Sequence, residues 1–205
     1  MPNLSRYGNM KTPLRAFHMA LISDNTKMNG VNGAIKKKFK GRDLLFGHGF
    51  VDAKIVFVGE NPFLDGDKKG LINLTPGSEK MLNQLMKLAG INKNKIYFTS
   101  VLKYCPNPAK VPTSKEIKSC VPFLREELKM VEPTLVVTLG NMALNGIGLR
   151  QPLANIHGRT FNFGSYELFP TFHPEAAAKS EEIRTLLQND FIKLKQIIEN
   201  KNKVV

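Results

Sequence analysis

Residues 55–58 read Ile-Val-Phe-Val, four apolar side chains in succession closed by Gly59. A strand with one wet face alternates apolar and polar residues, so an unbroken run this short predicts a strand buried on both faces, as in a parallel sheet. Three further segments carry the same signature: Ile96-Tyr97-Phe98, Thr134 to Leu139 and Tyr166 to Phe169. Between and after them lie stretches with helical spacing, at Glu79 to Leu88, Ser114 to Met130, Met142 to Ile147 and Glu181 to Asn200. This alternation predicts an α/β protein, a three-layer α/β/α sandwich around a central, mostly parallel, four-stranded sheet. Such sheets bind ligands at the carboxyl ends of their strands. The loops after Val58, Phe98, Leu139 and Phe169 are therefore expected to share one functional edge.

A chain of 205 residues with 42% hydrophobic content can bury one ordinary core. The regular pattern begins near residue 44 and continues to about 200. Residues 1–43 read as a basic lead-in, packed on the domain or loosely attached to it. Within it, Lys36-Lys37-Lys38-Phe39-Lys40 reads equally as a track for phosphates and as a solvated charge run. Thirty Lys and Arg against seventeen Asp and Glu give a net charge of +13, which favours a polyanionic partner, nucleic acid ahead of an anionic membrane surface. No apolar run approaches the roughly 20 residues of a membrane helix, and no secretory signal pattern is present. The expected setting is intracellular; the resemblance given below narrows it to a monomer in the cytoplasm, at the nucleoid, or in another DNA-containing compartment. Two cysteines, Cys105 and Cys120, rule out a disulfide framework and a four-cysteine metal site within this chain.

Two strand exits carry chemistry. Gly59-Glu60-Asn61-Pro62-Phe63 joins a flexible glycine to two polar side chains and a stiffening proline, a composition that an ordinary turn also favours. His173-Pro174-Glu175-Ala176-Ala177 follows the last apolar run at what the topology makes the same edge.

Gly59-Glu60-Asn61-Pro62 resembles the first motif of the uracil-DNA glycosylases, and His173-Pro174 resembles their second. The similarity extends through Phe46 to Lys54, Gly77 to Gly90, Phe98 to Lys103, Val136 to Ala143 and Gly158-Arg159, in register with the bacterial and archaeal family 4 enzymes over residues 44–197. The resemblance implies a monofunctional hydrolase of N-glycosyl bonds in base excision repair, acting on DNA that contains a damaged base. Such an enzyme must extract its base from the stack or take it from a single strand. The bond breaks through an oxocarbenium-like sugar while negative charge gathers on the departing base. One group must place water near the sugar carbon, and another must donate to the base oxygen.

By the resemblance, Asn61 positions the water and His173 is the donor, with Glu60 as a third catalytic candidate. A neutral imidazole suffices if its other nitrogen is held by a partner. Gly59, Pro62, Phe63, Asn73 and Ser100 fall at the base pocket. Pro174, Glu175 and Ala176 form a loop pressed into the DNA, Gly140 and Asn141 present backbone amides to phosphate, and Lys103 joins the DNA-binding set.

Three departures stand out. Family 4 enzymes carry Ala at the position of Asn61; here the chain resembles the mismatch-specific and single-strand-selective glycosylases, which carry Gly-x-Asn-Pro, while Glu60 is the family 4 residue. Ser100 and Asn73 replace the Asn that reads the uracil edge and the Phe that stacks on it. Cys105 and Cys120 match only the second cysteine pair of the family 4 iron–sulfur cluster, so neither cluster nor other cofactor is expected. Two alternatives remain open: a DNA-binding protein of this fold with impaired catalysis, and a hydrolase of free nucleosides.

Overall fold

A computed structural model describes residues 27–60, 63–65, 68–70, 74–107 and 111–202. Its centre is four parallel strands, β2 (Ile55–Gly59), β5 (Ile96–Ser100), β6 (Leu135–Leu139) and β8 (Glu167–Thr171). These are the four segments expected from their apolar runs. The sheet is nonetheless six-stranded, in the order β1-β5-β2-β6-β8-β7. Its extra members, β1 (His48–Gly49) and β7 (Phe161–Asn162), pair antiparallel with the outer parallel strands. Each is two residues long, too short to leave a periodic trace in the sequence. A separate hairpin follows β2, pairing β3 (Phe63–Asp65) with β4 (Lys68–Gly70).

Strand side chains alternate between two apolar layers. Val56, Val58, Tyr97, Val136 and Leu168 face one way, against α3 (Ser114–Val131), α4 (Asn141–Ile147) and α5 (Leu153–Ile156). Phe57, Phe98, Val137 and Phe169 face the other, against α2 (Pro76–Leu88) and α7 (Glu181–Asn202) through Leu85, Leu187, Phe191 and Leu194. The result is the expected three-layer sandwich. Phe57 and Phe191 are fully enclosed, and replacing a buried aromatic by Ala typically costs about 3–5 kcal/mol.

Local chemistry sets the helix ends. Thr113 opens α3 with a capping box, accepting from the Glu116 amide while Glu116 accepts from the Thr113 amide at 2.9 Å. α2 starts at Pro76, three residues before the apolar spacing announces it, because Thr75 caps and Pro76 suits a first helical turn. In the lead-in, residues 27–38 form helix α1, which buries Met28 and Ile35 and leaves Lys36, Lys37, Lys38 and Lys40 exposed. A six-residue helix, α6 (Pro174–Lys179), stands where a loop was expected, capped by His173.

Candidate active site

The parallel strands deliver three chain exits to one edge of the sheet: Gly59-Glu60 from β2, Gly140 from β6 and Phe172-His173 from β8. They converge on Gly140. This residue holds φ at 89°, and a Cβ built there would lie 2.5 Å from Glu60 Oε1 and 3.2 Å from His173 Cβ. Glycine answers both demands, since it tolerates the left-handed half of the map and leaves room for two neighbouring motifs to close on one another. The Gly140 amide donates to Thr171 O at 2.9 Å, tying β6 and β8 together one step before the site.

Glu60 is half-buried, and the Met142 amide at the start of α4 donates to its Oε1 at 3.4 Å. Burial raises the carboxyl pKa, and the Met142 amide opposes that rise. The main chain around Glu60 is pinned as well: Val101 N–H donates to Gly59 O at 3.0 Å and Leu102 N–H to Glu60 O at 3.2 Å.

His173 has two distinct ring nitrogens. The Glu175 amide donates to Nδ1 at 3.2 Å, so Nδ1 is the acceptor and the proton of the neutral ring belongs on Nε2. Nε2 is buried and has no hydrogen-bonding partner among the described residues. Burial lowers the ring's pKa from 6.5 to about 4, only partly opposed by Glu175, so the imidazole is neutral at physiological pH. A buried N–H without an acceptor is costly in a folded protein, typically about 1–3 kcal/mol, and is the kind of group a ligand satisfies.

The other expected site residues divide. Asn61, Pro62 and Asn73 lie outside the described residues. Phe63 opens β3, its backbone in register with Gly70. Ser100 is buried and spends its hydroxyl proton on Leu102 O at 2.7 Å. Asn141 is exposed as the first residue of α4. Pro174 is buried, Ala176 is exposed, and the Glu175 carboxylate accepts from the Thr75 amide, docking α6 onto the start of α2.

Two expected DNA contacts are displaced. Lys103 is wholly buried and forms an ion pair with Glu127, donating also to Thr99 Oγ1 at 2.8 Å and Ser100 O at 2.7 Å. An enclosed ammonium needs a counter-charge, and α3 supplies it, so this side chain does not reach a phosphate. The Gly140 amide, already donating to Thr171, is likewise not offered to a ligand.

A family model described as "Uracil DNA glycosylase superfamily" matches residues 46–194. The chain belongs to the uracil-DNA glycosylase superfamily. Its relatives include a type-4 uracil-DNA glycosylase of Sulfurisphaera tokodaii, 29% identical over 161 residues, covering 74% of this chain and 73% of the relative. A type-4 uracil-DNA glycosylase of Thermotoga maritima is 30% identical over 161 residues, covering 76% and 83%. One from Saccharolobus solfataricus is 28% identical over 170 residues, covering 76% of each chain. As a superfamily member the protein is a hydrolase of N-glycosyl bonds that acts on DNA.

The iron–sulfur cluster expected of family 4 glycosylases does not fit the residues present. It calls for four thiolates, and the chain has two cysteines. Cys120 is fully buried among Leu102 and Tyr104, with Phe39, Leu44 and Ile117 packed around them. Burial pushes both thiol pKa values up, favouring the protonated form over the thiolate.

A second polar group behind this glycosylase's site escaped the sequence reading. Asp190 of α7, fully buried, accepts from Thr171 Oγ1 at 2.6 Å and lies 2.9 Å from His157 Nδ1. Its signal was present: Asp190 shares the helical face of Leu187 and Leu194, where an acid needs a partner. Glu127 sits on α3 in the same way, between Leu124 and Val131. A cavity of about 870 Å³ lies elsewhere, lined by Leu128, Ile147, Phe163 and Tyr166, and contains none of the site residues.

Proposed function

We propose that this protein removes uracil, or a closely related deaminated base, from DNA by hydrolysing the N-glycosidic bond and leaving an abasic site. The observation that carries the reading is the His173 imidazole: neutral, with Nδ1 already accepting a backbone proton and Nε2–H buried without an acceptor among the described residues, beside the Glu60 exit. A donor fixed in this way can meet negative charge as it develops on the base oxygen, without first surrendering a proton. Glu60 brings a carboxyl group to the same side of Gly140 as His173, and in this reading it faces the electron-poor sugar. Asn61, next in the chain, holds the attacking water. The water oxygen bonds to the sugar carbon as the carbon–nitrogen bond breaks, and the departing base takes the bonding pair and then a proton.

Its relatives named type-4 uracil-DNA glycosylase support uracil as the base. Ser100, with its hydroxyl turned to Leu102, supports a pocket whose reading of the base edge rests on backbone and neighbouring groups. The protein acts as a monomer in a DNA-containing intracellular compartment. No helix among the described residues is long and apolar enough to cross a membrane.

The test is a panel of labelled oligonucleotides carrying uracil, hypoxanthine, xanthine or thymine opposite guanine, each incubated with the protein and then cleaved with alkali. Uracil release is expected to lead the panel. His173→Ala should reduce turnover by about 10²–10³, the scale for loss of one transition-state donor, and Asn61→Ala should lower turnover by loss of water placement, each leaving DNA affinity within a few fold. Absence of release from all four would sink the reading. It would also revive the impaired DNA-binding alternative, which the family membership and the retained imidazole do not favour.

A further inference from the structure

Helix α1 spans the sheet from one edge to the other. Twelve helical residues reach about 18 Å, close to the roughly 17 Å of a five-residue strand. At its start Lys27 pairs with Asp52 at 2.8 Å, three residues before β2 begins. At its far end Lys36 lies over the Phe46 ring at 5.5 Å, and Phe39 packs on Tyr104 with ring centres 5.0 Å apart. The chain that follows is fastened to the segment leaving β5. Arg42 stacks on Tyr104 at 4.8 Å, Cys105 N–H donates to Asp43 O at 2.9 Å, and Leu45 N–H donates to Lys103 O at 3.3 Å. That same segment donates to Glu60 O through the Leu102 amide. The end of α1 is therefore held at the carboxyl edge of the sheet, on the β5 flank of the site.

Along this end Lys37, Lys38 and Lys40 are exposed, and none has an acidic side-chain partner among the described ion pairs. Three ammonium groups within four residues, on the last turn of α1 and the turn that follows it, make a cationic ledge around the ring contacts of Phe39.

We propose that the end of α1, through Lys37, Lys38 and Lys40, binds the phosphate backbone of the substrate strand beside the base pocket. The inference rests on the reading of the protein as an enzyme of DNA. It also gives a function to the lysine run that the sequence left divided between a phosphate track and a solvated face. The Lys103 side chain, unavailable inside the protein, is replaced on the same flank by these three.

The opposite edge provides an internal control. Lys54, Lys93 and Lys95 are also exposed, and they sit just before β2 and β5 begin, at the amino edge. Removing either trio changes the net charge by the same amount. Two triple variants, Lys37→Ala with Lys38→Ala and Lys40→Ala, and Lys54→Ala with Lys93→Ala and Lys95→Ala, are compared with the parent for binding of an undamaged duplex and an undamaged single strand across a salt series. The α1 variant is expected to lose ten- to a hundredfold in affinity near 0.1 M salt. Its log–log salt slope should shrink by about 2 to 3, since each phosphate contact contributes about 0.9 on duplex DNA. The amino-edge variant should stay within about threefold of the parent, and both should keep the parent's thermal midpoint.

Equal losses in the two variants would overturn the proposal, because a diffuse field of net charge would then account for binding. No loss in either would overturn it too. Uracil release by the parent is assayed in parallel. Release with equal losses removes this inference alone, whereas asymmetric binding without release removes the enzymatic reading and leaves the ledge standing.

Discussion

Two buried polar groups stand behind the site, one on the β5 side and one on the β8 side, and they are built differently. Lys103, Glu127 and Thr99 form a closed ion-pair cluster in which both charged side chains are fully enclosed. Asp190, Thr171 and His157 form a cluster with one member, His157, still reaching solvent at 16% side-chain exposure. The first joins β5 to α3 and ends there. The second grips Thr171, the last residue of β8, two positions before His173. Gly158, at φ 67°, allows the approach, since a Cβ there would lie 2.3 Å from Asp190 Oδ1. The contrast separates a brace that holds the frame from a bracket that grips the strand end two residues before the proposed donor.

The sharpest way to break this contrast is Lys103→Met. Removing one partner strands Glu127, whose Oε1 already has no partner among the described residues, and should cost about 3–5 kcal/mol in urea unfolding. Pairing it with Glu127→Leu should restore much of that loss. A single variant as stable as the parent would remove the brace.

Asp190→Asn should cost less stability, about 1–3 kcal/mol, but should also slow base release at saturating DNA by roughly tenfold or more. The Lys103→Met and Glu127→Leu double variant, once folded, should keep its rate. Equal effects on rate in the two regions would erase the distinction. Gly140→Ala tests the point where the exits meet: its φ and the 2.5 Å approach to Glu60 predict a loss of about 1–3 kcal/mol together with a fall in rate.

Acid gives a graded version of the same comparison, since one buried imidazole stands on each flank. His48 stacks on Phe98 of β5, and His173 follows β8; burial lowers each pKa from 6.5 to about 4. A histidine that stays neutral when folded but takes a proton when unfolded stabilises the fold above pH 6.5, and the contribution is lost as pH falls toward 4. Each should cost about 1 kcal/mol between pH 6.5 and 5.5, and His48→Gln should remove its share. The rate profile should show no inflection near 6.5, because the His173 ring remains neutral there. Smallest of all, Thr113→Ala should lose about 1 kcal/mol from the α3 cap with no change in rate.

The parallel core was legible because runs such as Ile55 to Val58 leave strong signals over several residues. β1 and β7 were not, because two-residue strands are defined by their partners. Of the candidate site, the meeting of its two motifs was legible: Glu60 and His173 both close on Gly140, and the His173 Nδ1 accepts from the Glu175 amide. Gly140 itself was read as an amide donor when its contribution is empty space. Lys103 misled because a lysine after a strand looks solvent-bound until Glu127, 24 residues later, is seen on the buried face of its helix. Asp190 was not legible because its partners, Thr171 and His157, lie 19 and 33 residues away and meet it only in the folded sandwich.

His173 does double duty, and the consequence is that inheritance of the fold and inheritance of the chemistry can be uncoupled. One ring nitrogen starts α6; the other is buried without a partner among the described residues and is the proposed donor. Asparagine is also a good helix opener, so His173→Asn should keep the helix start and the melting curve while losing the reach of Nε2. A lineage could pass through such a change without any loss of folding, keeping its DNA affinity and surrendering only turnover. In this scaffold a silent descendant lies one substitution from a working one.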